Sequence, residues 1–150
     1  YNNRGNAYSR KGNFDQALSD YNKAIEIDPK RPKAYNNRGN AYLRKGAIDQ
    51  AISDYNKAIE INPKYADAFS NRGNAYLSKS NIDQAISDYN KAIEINPKYA
   101  DAYINRAIAY FMKQQYVNSW EDVHRARVLG CKINPEFIEA LKKVSGSEDE

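Results

Sequence analysis

Long apolar runs are missing from this chain, and so are most residue types that do chemistry by themselves. No stretch approaches the roughly 18–20 apolar residues needed to cross a bilayer, so no membrane partner is expected. The single Cys131 has no partner for an internal disulfide, which suits a reducing, cytoplasmic setting. His124 is the lone histidine and has no companion motif, and nothing near Cys131 in sequence would activate it. There is no glycine-rich phosphate loop and no metal-ligand spacing. Catalytic residues, metals and cofactors are therefore not expected, and the chain reads as a non-enzyme. No secretory leader is visible, and the chain begins at Tyr1 inside a motif that recurs later, so it reads as a fragment. Charge is abundant but balanced, with 28% charged residues and a net charge of +4. That balance weighs against nucleic acid, although segments such as Lys30-Arg31-Pro32-Lys33 could meet phosphate. Lysines offsetting the dipole at helix C-termini are the simpler account.

What the chain does have is repetition. Asn2-Asn3-Arg4-Gly5-Asn6-Ala7-Tyr8 returns 34 residues later as Asn36 to Tyr42, and again as Ser70 to Tyr76 with one change. A worn fourth copy runs from Ile104 to Tyr110, and Asp49 to Pro63 recurs unchanged at 83 to 97. A period of this length marks stacked helical hairpins. In the second unit, Tyr35, Gly39 and Tyr42 share one face of a helix expected over Ala34 to Lys45. Gly46 ends it by accepting positive φ. Ile48, Ala51, Ile52, Tyr55, Ala58 and Ile59 form the apolar stripe of a second helix, which Pro63 terminates. Ten of the 13 tyrosines fall in recurring slots, so they read as packing and not as a recognition surface. In the third unit Ser80 stands for the turn glycine, at a cost of about 1 kcal/mol if the turn needs left-handed backbone.

Tyr35, Gly39, Tyr42, Ala51, Tyr55, Ala58 and Pro63, with their partners one period away, resemble the tetratricopeptide repeat family. The resemblance implies an all-α, right-handed solenoid of antiparallel helix pairs, the first helix of each pair lining a concave groove. Four units are expected, at 1–31 (short at its start), 32–65, 66–99 and a divergent 100–131. A capping helix at 134–144 follows, with Asn134 as N-cap and Pro135 in the first turn, then an acidic tail at 145–150.

Two polar sets stand out. Arg4, Arg38, Arg72 and Arg106 occupy a slot where the family often has leucine, and Asp20, Asp54, Asp88 and Asp122 follow each by sixteen residues. They are expected to form structural pairs tying the helices of a hairpin, since a guanidinium suits bidentate pairing with a carboxylate. A further reach to a neighbouring unit is left open.

The second set is asparagine, a mediocre helix former used repeatedly on the first helices. Asn3, Asn37, Asn71 and Asn105 recur in all four units, with Asn2, Asn6, Asn36, Asn40 and Asn74 beside them. Together with Arg10 and Arg44 they are the candidate peptide-binding residues. An amide can match a peptide group's N–H and C=O at once, and related solenoids use asparagine ladders in this way. The competing account is duplication, in which near-identical repeats copy solvated polar residues or inter-repeat bonds. The resemblance also implies a test against the family's clamp for EEVD-type chaperone tails. Its slots hold Asn2, Asn6, Asn37, Asp67 and Asn71, so the asparagines match but the cations are absent. That partner is excluded. The groove is expected to run from basic, with Arg10, Lys33 and Arg44, to apolar, with Ile104, Ile108, Phe111 and Met112. The functional expectation is a scaffold binding an extended protein segment. Self-association through exposed terminal hairpin faces is the alternative.

Overall fold

The computed structural model describes residues 1–146, and among them it forms nine α-helices and no strand. Eight helices are paired: α1 (Asn2–Arg10) with α2 (Phe14–Ile27), α3 (Pro32–Arg44) with α4 (Ile48–Ile61), α5 (Ala66–Ser78) with α6 (Ile82–Ile95), and α7 (Ala100–Met112) with α8 (Tyr116–Val128). A ninth, α9 (Pro135–Ser145), follows alone. The tail expected at 145–150 begins later than foreseen, because Ser145 closes α9 and Gly146 caps it at φ +63°. From residue 147 onward that tail lies outside the described residues.

Local chemistry sets these boundaries. α3 starts two residues before the expected Ala34, with Pro32 in its first turn, where a missing N–H costs nothing. The helices α2, α4 and α6 are capped by Asp28, Asn62 and Asn96, each held out of the helical region by the following proline. Each of these side chains accepts the N–H two residues on, at 3.2, 3.0 and 3.1 Å. Inside the hairpins, Gly12 and Gly46 turn the chain at φ +77° and +76°. Ser80 and Gln114 hold the same turn at φ 60° without being glycine. Ser80→Gly is therefore expected to raise stability by about 0.5–1 kcal/mol, the left-handed penalty less glycine's entropy. A thermal melt of the single variant checks it.

No hairpin closes its own core. Ala17 and Tyr21 of α2 pack with Ala41 of α3, Ala51 and Tyr55 with Ala75, and Ala85 and Tyr89 with Ala109. Each cluster joins one hairpin to the next, so stability is shared along a line. The series ends at α9, where Ile138 and Leu141 pack with Ala107, Trp120 and Val123. Trp120 also donates its indole N–H to Ser145 Oγ at 3.2 Å. First helices of successive hairpins touch each other (α1 with α3, α3 with α5, α5 with α7), and second helices make no comparable contact. The stack therefore bends with its first helices on the inside.

Candidate functional site

The recurring arginines lie between two aromatic rings and a carboxylate. Arg38 Nε and Nη2 donate to Asp54 at 2.7 and 2.6 Å, and Arg72 and Arg106 repeat the fork on Asp88 and Asp122. Its guanidinium lies 5.6 Å from the Tyr35 ring and 6.0 Å from that of Tyr42. The remaining nitrogen reaches the preceding hairpin, with Arg38 to Asn22 at 2.7 Å, Arg72 to Asn56 at 2.6 Å and Arg106 to Asn90 at 2.5 Å. Arg4 pairs with Asp20 in the same fork, but no hairpin covers it. Its side chain is 62% exposed, against 18–20% for the other three. The hydrogen bonds that Asp54 and Asp88 accept hold Arg38 and Arg72 above the usual arginine range. The Arg4 guanidinium lowers Asp20, whereas at Asp122 burial outweighs Arg106 and moves the carboxyl upward.

The asparagines divide into three kinds. Asn6, Asn40 and Asn74 each accept the hydroxyl of a buried tyrosine, Tyr21, Tyr55 and Tyr89, at 2.8, 2.7 and 2.7 Å. Burial raises all three phenols above their ordinary range. Asn2 and Asn36 are buried, which corrects the expected exposure of this slot. Each accepts an amide hydrogen from the next unit, from Asn37 at 3.3 Å and Asn71 at 3.0 Å, and Asn37 also donates to Asn6 at 3.0 Å. Asn3 and Asn105 form the third kind and make no side-chain hydrogen bond among the described residues. For Asn105 the reason is local, because Ser70 stands where Asn2 and Asn36 would receive its amide.

These side chains border two hollows on the inner face. One, of about 190 Å³, is lined by Asn6, Ser9, Arg10, Tyr21, Asn37 and Asn40. The other, of about 320 Å³, includes Asn71, Asn74, Tyr99, Asp101, Ile104 and Asn105, and is closed on one side by Cys131 and Lys132. Tyr99 is pushed up to about 12 by burial, reinforced by Asp67 and Asp101. Burial likewise raises the Cys131 thiol. Arg10, Lys33 and Arg44 are exposed. Of the expected apolar end, Phe111 is taken up by α9, its ring 5.7 Å from Phe137. Ile104 borders the second hollow, and Met112 is exposed.

Models of known families match along the chain. One described as TPR repeat covers residues 5–46 and 73–114, and two described as tetratricopeptide repeat cover 32–65 and 54–87. The chain belongs to the tetratricopeptide repeat family. Among solved structures, this TPR chain is similar to MamA in its crystal structure, with a TM-score of 0.77, 28% identity, and coverage of 84% of this chain and 74% of that one. It is also similar to the first TPR of Spaghetti (RPAP3) bound to the HSP90 peptide SRMEEVD, with a TM-score of 0.72, 30% identity, and coverage of 75% and 90%. The Arabidopsis OM64 TPR domain is similar at a TM-score of 0.72 and 26% identity, with coverage of 74% and 92%. No curated protein sequence is a significant match.

Sequence reasoning missed the links between TPR units. Asn22, Asn56 and Asn90 precede the next unit's arginine by sixteen residues, the same offset as each Arg to its Asp. Lys45, Lys79 and Lys113 pair with Asp15, Asp49 and Asp83 of the unit before, thirty residues earlier. Both sets were visible as recurring complementary residues. Among the described residues no helix is long and apolar enough to cross a membrane.

Proposed function

We propose that this TPR chain is a protein-interaction scaffold that holds an extended segment of another protein along the inner face of its first helices. The observation that carries the reading is Asn105, with its whole amide uncommitted beside Asn71 and Asn74 on the second hollow. Asn37 supports it from the first hollow. Both of its amide hydrogens go to Asn2 and Asn6, which leaves its carbonyl oxygen for a peptide N–H. The similar RPAP3 domains bind peptides, which supports this class of partner. The chemistry of their EEVD-ending ligands fits this chain poorly. The clamp slots here hold Asn2, which is buried, and Asp67, which is exposed and would repel a carboxylate.

End-to-end self-stacking has less support. Every internal junction uses an Asp and an Asn seven residues apart on a second helix, such as Asp49 and Asn56. The last hairpin has Val117 and His124 at those places, and α9 packs over it. Nucleic acid would be betrayed by affinity that collapses with salt.

The test is a random 12-residue peptide library displayed on phage, panned on the immobilised chain, with enriched sequences remade as labelled peptides for anisotropy. Asn105→Ala is expected to weaken binding about two- to tenfold, the worth of one hydrogen bond, and to leave the melting temperature unchanged. Full affinity in Asn105→Ala and Asn37→Ala, or no enriched peptide, overturns the reading. SRMEEVD is the expected non-binder.

A further inference from the structure

The groove changes sign along its length. Three positions in two slots carry cations on its first two units. Arg10 lines the first hollow and Arg44 stands one period further along the same edge, at the C-terminal ends of α1 and α3. Lys33 is at the N-terminal end of α3. On the next two units the same slots lose every positive charge. Ser78 and Met112 follow Arg10 and Arg44, and Asp67 and Asp101 follow Lys33. Asp101 lines the second hollow, and Asp67 stands beside Tyr99, which lines it too. Lys132, from the segment joining α8 to α9, offsets Asp101 in the lining of this hollow, and Asp67, beside Tyr99, adds a further negative charge next to it.

Duplication alone does not produce the change of sign, because the second and third units differ at both slots, Lys33 against Asp67 and Arg44 against Ser78, although Asp101 repeats Asp67 within a copied Pro-Lys-Tyr-Ala-Asp-Ala stretch. Neither is it needed for stacking. Arg10, Lys33 and Arg44 make no ion pair among the described residues, whereas the neighbouring Lys45, Lys79 and Lys113 are all paired between units. Arg10 and Asp101 line the two hollows of the inner face, and of the changed residues Asp67 bonds Tyr99.

We propose that the groove takes a bipolar extended peptide, with acidic residues across α1 and α3, a basic residue across α5 and α7, and an apolar side chain beside Ile104. The inference rests on the groove reading above and adds the charge order of the partner. First helices in contact lie about 8–10 Å apart, and an extended peptide advances about 3.3 Å per residue. Two units along the stack, combined with about 16 Å between the two ends of a first helix, make a diagonal of about 23–26 Å, so about seven to eight peptide residues separate the acidic and basic positions.

The same enriched peptides test this. In those weakened by Asn105→Ala, an acidic and a basic residue should recur about seven to eight positions apart, in either chain direction. Replacing the peptide's basic residue by Gln should weaken binding about three- to fivefold on the wild-type chain, the range of an exposed opposite-charge contact. It should change little on Asp67→Asn/Asp101→Asn. Replacing the acidic residue should behave likewise against Arg10→Gln/Arg44→Gln, and both losses should shrink at high salt. Asn105-dependent peptides without that charge order, or losses equal on wild type and variants, overturn this inference and leave the groove reading standing. A failure to find any Asn105-dependent peptide overturns both.

Discussion

Asp54→Ala is expected to destabilise the chain by about 3 kcal/mol or more, the cost of leaving a buried charge without its partner. The Arg38 side chain is only 20% exposed, and it is flanked by the Tyr35 and Tyr42 rings and capped by Asn22. Once Asp54 is gone, the hollow beside it lets that guanidinium recover only part of the water it gave up, because its rings and Asn22 still cover the rest. For a chain of this size, about 2–4 °C per kcal/mol converts the loss to roughly 6–12 °C in a thermal melt. Asp20→Ala removes the same fork at the open end of the stack, where Arg4 is 62% exposed. Water replaces the lost carboxylate there, and the loss is smaller. Equal losses at the two positions would show that the covering hairpin contributes nothing to the pair.

Gly39→Ala is expected to cost up to about 2 kcal/mol, although alanine is the better helix former. A Cβ at position 39 would stand 2.7 Å from Tyr55 Cε1 and 3.0 Å from its Cδ1. Tyr55 is fully buried and its hydroxyl is held by Asn40 at 2.7 Å, so the ring has nowhere to go. Overpacking costs about 1–3 kcal/mol, against about 1 kcal/mol returned by helix propensity. The fourth unit shows the compensated version, with Ala107 beside Val123, both fully buried in one cluster, and Ser119 Oγ donating to the Ala107 carbonyl at 2.8 Å. The double variant Gly39→Ala/Tyr55→Val should therefore lose less than the sum of its single variants, by about 0.5–3 kcal/mol of coupling. Chemical denaturation of all three variants measures it, and strict additivity would show that the methyl and the ring do not compete for space.

These two positions also show how legible the chain was. The pairing of Gly39 with Tyr55, and of Arg38 with Asp54, could be read from offsets that recur every 34 residues, because a period copies each contact along with the residues that make it. Helix ends were legible where proline or glycine forces the backbone, as at Pro63 and Gly46, and slipped where proline begins a helix, as at Pro32. The asparagines were less legible. Asn36 looks like an exposed groove residue in a single hairpin and becomes buried only when the next hairpin lays Asn71 against it. Arg38 and Asn22 show the same limit, since their bond exists only across a junction.

By itself the sequence determined the hairpin, its period, its turns and the pairs inside it, because those contacts lie within one unit and repeat with it. It also determined that the fourth unit differs, through Ala107, Ser119, Trp120 and Val123. Only the tertiary structure decided which polar residues are spent. Stacking brings units together at distances the chain does not encode locally, engaging Asn2, Asn36, the amide hydrogens of Asn37 and the amide nitrogen of Asn71, while Asn105 keeps its amide because Ser70, in place of an asparagine, makes no bond to it. A polar residue satisfied by its neighbour and one left without such a bond look identical in sequence, and the geometry of the stack separates them.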